Sequence, residues 1–390
     1  MNAERSGLIK ARERIERLPT SKIREIANTS LGLEGLIPLW FGESDLPTPD
    51  FIKKAGAEAL MQGCTFYTHN RGIPELRLVL AEYLTRLHAR PVDVDRITVT
   101  ASGCAAINLI QQVLTDPGSN TVVVGPLWPN LIETVHIMGG ETRIVPLTFG
   151  AHAWTLDLDR LFDQVDDKTS AILINSPSNP TGWVMDRDRQ QAVLDFCRQR
   201  GVWLISDEVY HRLVYDQPLA PSLLDLAEPE DKVIVINSFS KTWAMSGWRL
   251  GWITAPPPLG DIFEKVIEFH YSCPAHFSQL AGISAVTEGE DFVSATVQRY
   301  RAARDLSVER LGSLPRVQLH SPPGTFYLFF ALNGMSDSVA TCRRLVAETR
   351  VGLAPGAAFG EAGEGFLRLC FANSLETLNT ALDRLQPLLD

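Results

Sequence analysis

The chain has 390 residues, room for one large and one small unit with ample core, and its 45% apolar and 21% charged composition is ordinary for a globular enzyme. Its 36 Lys and Arg against 46 Asp and Glu leave a net charge of −10, which disfavours a nucleic-acid partner. Cys64, Cys104, Cys197, Cys273, Cys342 and Cys370 form no Cys-x-x-Cys pair, and with the histidines equally scattered they indicate neither a disulfide framework nor a metal site, but reduced thiols in a cytoplasmic setting.

From the N-terminus, Met1 to Leu18 is charge-rich without an apolar core, unlike a signal peptide. No apolar run approaches ~18 residues, so no membrane partner is expected. Lys10 to Asn28, with mixed charges and spaced Ile and Leu, predicts a helical arm. Leu36 to Trp40 reads as a short strand, followed by a loop carrying Gly42, Pro47 and Pro49. Gly42 there reads locally as a turn glycine. A helix is expected over Asp50 to Met61, with Asp50 as its N-cap. Tyr67 lies in a loop before a helix that Pro74 opens and that runs to about His88.

Arg96 to Thr100 predicts a strand, and Ala101-Ser102-Gly103-Cys104-Ala105 opens a helix. Strand, small-residue turn and helix N-terminus together make an anion site of free amides, although any βα unit can look so. Thr121 to Val124 is a buried strand ending near Trp128, and Gly139 to Leu147 with Leu156 to Val165 continue as strand and helix. Ser170 to Ile174 then leads into Asn175-Ser-Pro-Ser-Asn179-Pro-Thr-Gly182, which is also a good turn sequence. A helix from Gln190 to Gly201 and a strand from Val202 to Ser206 deliver Asp207 and Tyr210. A carboxylate at such a strand end serves as a helix cap or as a metal or ribose ligand.

The apolar, β-branched run Val233 to Ile236 reads as another buried strand. Just past its C-terminal end come Ser238, Ser240 and Lys241, with Arg249 eight residues after the lysine. That is one amine nucleophile beside a cradle of hydroxyls and a guanidinium, at the strand edge where open α/β sheets bind ligands. Helical stretches over Ser278 to Val286 and Phe292 to Leu311 lead to two further strands, around Phe326 to Phe330 and around Arg368. An arginine inside an apolar strand is costly unless paired, so Arg368 is either half of a structural ion pair or a ligand site.

The Ser-x-Ser-Lys segment with its arginine, Asn175 to Gly182, Asp207-x-x-Tyr210 and the Arg368 segment resemble the class I/II pyridoxal-phosphate-dependent aminotransferases, and the likeness runs over nearly the whole chain in order. It implies fold type I: a mostly parallel seven-stranded α/β large domain, residues 45–285, with a small α/β domain formed by 1–44 and 286–390. The alternation of buried runs and helices over 97–252 supports the same doubly wound class without it. The resemblance implies that Lys241 holds pyridoxal 5′-phosphate as a Schiff base, and that Asp207 pairs with its ring nitrogen. Tyr210 and Asn179 bind its phenolate oxygen, O3′, and Trp128 stacks on its ring. Ser238, Ser240, Arg249 and the amides of Gly103, Cys104 and Ala105 hold its phosphate, helped by Tyr67 from a second subunit of a homodimer. Gly42 and Arg368 receive the carboxylate of an amino-acid or 2-oxo-acid substrate, with Trp128 and Asn179 nearby.

One departure stands out. Aspartate-specific members of one subgroup carry a lysine near the position of Cys104, which points this chain towards a neutral or aromatic amino donor. The same constellation also serves carbon–sulfur β-lyases of this fold. A non-catalytic cofactor-sensing module is a further alternative, disfavoured by the intact Lys241, Asp207, Tyr210 and Arg368.

Overall fold

A computed structural model describes residues 11–390. The reading of the first ten residues, including the Lys10 start of the helical arm, lies outside the described residues. Where one arm was expected, the chain forms two helices, Glu13–Glu16 and Lys22–Thr29. Pro19 stands between them, and Ser21 restarts the helix by accepting the Arg24 amide at 3.3 Å. The helix Asp50–Met61 begins where expected, but Pro49 occupies its cap and Asp50 instead pairs with Lys53 at 2.6 Å.

The large sheet has seven strands: β1 (Ile97–Thr100), β2 (Asn120–Gly125), β3 (Glu141–Pro146), β4 (Thr169–Asn175), β5 (Trp203–Asp207), β6 (Val233–Ser238) and β7 (Gly251–Thr254). Their spatial order is β1-β7-β6-β5-β4-β2-β3, and every pairing is parallel except those of β7. The expected doubly wound, mostly parallel class is therefore what the chain builds.

The unbroken apolar runs have a direct cause. Val122 and Val124 face one buried cluster while Val123 faces another, and Ile172, Val233 and Val235 alternate likewise with Leu173, Ile234 and Ile236. Side chains alternate across a strand, so a sheet covered by helices on both faces needs apolar residues at every position. The edge strand β1 is blunted by guanidinium groups. Arg71 donates to the carbonyls of Asp95 (2.6 Å) and Ile97 (3.2 Å), and Arg77 donates to those of Val94 and Ile97 at 3.0 Å each.

A second, antiparallel sheet has the order β8 (Val317–Gln318), β9 (Tyr327–Leu332), β11 (Phe366–Cys370) and β10 (Ala354–Pro355). The N-terminal pair Ile37–Pro38 joins this part of the chain by pairing parallel with Val351–Gly352. The loop after it is clamped by Asp45, whose carboxylate takes both guanidinium nitrogens of Arg299 (2.6 and 2.7 Å) and the amide of Ser374 (2.9 Å).

The antiparallel strand β7 starts at the edge where its neighbours end, with Gly251 paired to both Thr100 and Ser238. Gly251 has no room for a side chain. A Cβ there would lie 2.8 Å from the Gly103 amide nitrogen and 2.9 Å from the Asn237 carbonyl. We expect Gly251→Ala to lower stability by about 1–3 kcal/mol through overpacking, read as a reduced denaturant midpoint. An unchanged midpoint would mean the sheet edge yields without cost.

Candidate active site

A cavity of about 400 Å³ opens where β4, β5 and β6 end, and residues of the small sheet close its far side. Asn175 and Asp207 are neighbours across β4 and β5, and Ser238 ends β6. One helical turn, Phe239–Thr242, follows directly, and Ser238 caps it by accepting the Ser240 amide at 3.1 Å. That turn brings Lys241 to the cavity wall. Because β7 runs backwards, Arg249 arrives at the same edge just before it. Arg249 has φ 52°, a left-handed conformation that costs a non-glycine residue energy and clusters at functional sites.

These pieces form an anion cup. The helix Gly103–Leu114 points its N-terminus here, and among the described residues the amides of Gly103 and Cys104 have no acceptor. The hydroxyls of Ser238 and Ser240 meet at 2.9 Å, and that of Ser238 also lies 3.3 Å from the Leu250 carbonyl. Arg249 lines the cup and makes no ion pair among the described residues. Ala105 is a correction to the sequence-based expectation. Its amide is spent on the Ser102 hydroxyl at 3.0 Å, an ordinary N-cap bond, and the residue is absent from the cavity wall.

Two neighbouring acids show what the site lacks. Glu208 is buried and satisfied, accepting from the Ser206 hydroxyl (2.8 Å), the Ser222 hydroxyl (2.6 Å) and the Leu223 amide (3.1 Å). Asp207 is equally buried but accepts a single amide, from Val209 at 3.3 Å, and has no cation within ion-pair distance. Burial with so little compensation, and the charge of Glu208 beside it, push its carboxyl up to about 7. A cationic group of a ligand would restore the anion.

The opposite wall holds a buried cation. Arg368, on β11, is 2% exposed, yet among the described residues no carboxylate pairs with it. Its guanidinium donates to Asn179 Oδ1 at 2.8 Å and to the Trp40 carbonyl, and lies 4.3 Å above the Tyr327 ring and 4.8 Å from that of Phe359. An arginine cannot shed its proton, so this one waits for an anion. Lys241 is in a parallel position, donating to the Gly42 carbonyl, and burial lowers its pKa towards the neutral amine. Gly42 is forced by space rather than by a turn, since any Cβ there would run into the Tyr327 hydroxyl.

Trp128 lines the cavity and forms no ring pair with another aromatic of the chain. The Tyr210 hydroxyl meets that of Tyr327 at 2.8 Å. Cys104 lines the cup, its thiol pushed up by burial while Arg249 and Lys241 pull it down. Tyr67 stands apart from these groups. It is 88% exposed and takes no part in its own chain's cavity. Sequence reasoning also missed wall residues. Asn175 was visible within its motif, and its side chain ties the Asp207 carbonyl (3.1 Å) to the Asn179 amide (2.8 Å). Arg24, Phe41 and Tyr327 had no local signal, because packing alone brings them in.

The residues present fit pyridoxal phosphate: free amides and hydroxyls for a phosphate, an unpaired buried carboxylate for a ring nitrogen, and a neutral-leaning amine between them. Comparison with known proteins agrees. The family described as "Aminotransferase class I and II" matches residues 34–385. The aspartate aminotransferase of Thermotoga maritima is 34% identical over 97% of this chain and 98% of its own. Its crystal structure superposes with a TM-score of 0.91, covering 97% of this chain and 100% of that one. The aromatic-amino-acid aminotransferase 2 of Thermococcus litoralis is 33% identical over 97% of both chains. With a matching family profile over most of its length and full-length relatives above 30% identity, the chain belongs to the class I and II aminotransferases.

Proposed function

We propose that this cavity moves an amino group between an amino acid and a 2-oxo acid, with the acid's α-carboxylate on Arg368. The observation that carries the reading is the buried pair of uncompensated charges, Asp207 and Arg368, on opposite walls of one cavity. Aminotransferases of this family use pyridoxal 5′-phosphate, which supplies an aldehyde and, with its ring nitrogen protonated, an electron sink.

The chain's own groups divide the remaining work. Gly103, Cys104, Ser238, Ser240 and Arg249 would hold the phosphate, Asp207 the protonated ring nitrogen, and Trp128 the ring face. Tyr210 and Asn179 would donate to the phenolate oxygen. Asn179 already bonds Arg368, so one side chain touches both halves of the site. Arg368 and Gly42 orient the substrate carboxylate, which fixes the direction of the Cα–H bond. The Lys241 amine, whose pKa burial lowers, takes the proton from Cα and returns one to the cofactor side. Oriented groups and excluded water supply the rate gain.

The apolar part of the cavity wall comprises Ile23, Phe41, Ile107 and Trp128, which suits a neutral or aromatic donor. One observation favours a second reading. Arg24 lines the same cavity, rests 5.7 Å over the Phe41 ring and meets no carboxylate among the described residues. That free cation would receive a side-chain carboxylate and offset the missing lysine at Cys104.

Exposed Met61, Phe66, Tyr67 and Phe269, at 81–92%, support a homodimer in which Tyr67 reaches the partner's phosphate cup. The six unpaired cysteines support a cytoplasmic setting. No described helix is long and apolar enough to cross a membrane. The interlocking of Ile37–Pro38 with Val351–Gly352 supports a small domain drawn from 1–44 and 286–390, around a large domain of 45–285.

Cofactor-loaded protein given one amino acid and no acceptor should release one equivalent of 2-oxo acid per site. Continuous formation of pyruvate and ammonia from cysteine-type substrates would instead make it a β-lyase. Lys241→Ala should lower turnover by at least about a thousandfold, since it removes both amine and base, while cofactor remains bound non-covalently. Retained turnover would place the base elsewhere.

Arg24→Gln should raise KM for aspartate or 2-oxoglutarate about three- to tenfold, the size of a partly exposed ion pair. KM for phenylalanine should stay unchanged. Equal effects on both substrates would remove Arg24 from side-chain recognition.

Asp207 gives a test without catalysis. Its folded carboxyl titrates above the ordinary range, so its contribution to stability is full below about 4 and is lost as pH rises to about 7. The cofactor-free protein should lose more stability between pH 4.5 and 7.5 than Asp207→Asn does, by denaturant midpoint. Identical pH profiles would show the carboxylate to be compensated.

A further inference from the structure

Tyr327 has no role in the proposed reaction beyond lining the cavity, yet it is held from several sides. It lies on β9 opposite Cys370, two register steps from the Phe329–Arg368 pair, and is 1% exposed. The Arg368 guanidinium covers its ring face at 4.3 Å, and Phe326 packs edge-on against it with centroids 4.8 Å apart. Gly42 comes so close that only a glycine fits beneath the hydroxyl. That hydroxyl has a single hydrogen-bond partner, Tyr210 Oη at 2.8 Å.

The bond has a direction once a ligand is bound. A tyrosine hydroxyl has one proton to give and lone pairs to receive with. If Tyr210 gives its proton to the cofactor's phenolate oxygen, Tyr327 must be the donor to Tyr210. The chain of donors then runs from Tyr327 through Tyr210 to the ligand oxygen. A hydroxyl that accepts a bond becomes a stronger donor, by about 10–30% per link. The Arg368 cation on the ring face draws electron density from the Tyr327 phenol and strengthens its donation further. When a substrate carboxylate neutralises Arg368, that pull weakens.

We propose that Tyr327 is a positioning residue that orients and polarises the Tyr210 hydroxyl, and so carries the state of the carboxylate-binding arginine to the cofactor oxygen. The inference rests on the proposed seat of the cofactor beside Tyr210. Its observable is the proton affinity of the nitrogen joining the cofactor to Lys241. A donor to the neighbouring oxygen reduces that oxygen's negative charge, which lowers the nitrogen's hold on its proton. Weakening the donor raises it.

The experiment titrates the visible absorbance of cofactor-loaded wild type, Tyr210→Phe, Tyr327→Phe and the double variant against pH. Tyr327→Phe keeps the ring, its packing and the arginine face, and removes only the hydroxyl. We expect Tyr210→Phe to raise the midpoint by about one unit, as loss of one charge-assisted hydrogen bond would. Tyr327→Phe should raise it by about half a unit, and the double variant no further than Tyr210→Phe alone, because both act through one bond. Turnover in Tyr327→Phe should fall about three- to tenfold with KM unchanged. In wild type, a non-reacting dicarboxylate such as maleate should raise the midpoint, and that rise should be smaller in Tyr327→Phe.

A midpoint that moves in Tyr210→Phe but not in Tyr327→Phe overturns the relay and leaves the cofactor seat standing. No movement in either overturns the seat of the cofactor, and the relay with it. Additive shifts in the double variant would show two separate contacts and refute the relay. Should Tyr327→Phe lose structure by circular dichroism, the maleate response compared between wild type and Tyr210→Phe decides the same point: an equal rise in both refutes the relay.

Discussion

The constraint on which the rest of the structure depends is the burial of opposite charges that do not meet. Removing an ion from water costs several kcal/mol even after relaxation, and a fold ordinarily recovers this by pairing. Here Asp207 and Arg368 sit on facing walls, each paired with nothing of opposite sign. Asp207 responds by holding its proton more tightly. Arg368 cannot respond that way and is kept in place by a carbonyl, an amide oxygen and two aromatic faces. The surrounding architecture keeps these groups from collapsing onto one another. One is rooted in the large sheet, the other in the small one, with the Asp45–Arg299 clamp fixing the loop between. The resulting strain on stability is a form of stored selectivity, because only a ligand with a cationic nitrogen and an anionic oxygen relieves both.

Rigid carbonyls do a second job. Trp40 and Gly42, two residues apart on one short segment, accept from Arg368 and Lys241 respectively. The guanidinium and the amine on the cavity wall are thus held by the backbone of the same segment. A side chain doing this would add its own rotamers and its own charge, and a carbonyl adds neither. Gly42 is therefore less a flexible hinge than a gap left so that Tyr327 can pass.

Much of this was legible in the sequence because the chemistry is concentrated at strand ends. Buried β-branched runs located the parallel strands, and the residues directly after them, Asn175, Asp207 and Lys241, needed no further geometry to be placed at one edge. Arg368 was legible as an anomaly, a guanidinium in an apolar strand. What could not be read is whatever depends on packing between distant segments. Arg24 comes to the cavity on the helix that Ser21 restarts after Pro19, and Phe41 on the loop that follows the Ile37–Pro38 strand. Ala105 was misread since a motif does not reveal which helix amide the cap residue has already taken. Asp207 and Glu208 look alike in sequence, and only the donors around Glu208 tell the structural acid from the reactive one.

The order of the pieces along the chain has a consequence for how the protein is made. Every group that this chain's own cavity contributes to the anion cup lies between Gly103 and Arg249, and β7, which positions Arg249, ends at Thr254. The carboxylate grip is not complete until Arg368 pairs with a carbonyl 328 positions earlier in the chain. Contacts of such long sequence separation form late and slowly. A polypeptide leaving the ribosome N-terminus first acquires the residues for its phosphate site more than a hundred residues before it acquires the means to grip a substrate. In the proposed assignment, the groups for the cofactor are thereby present in the growing chain well before the strand that carries the proposed carboxylate site.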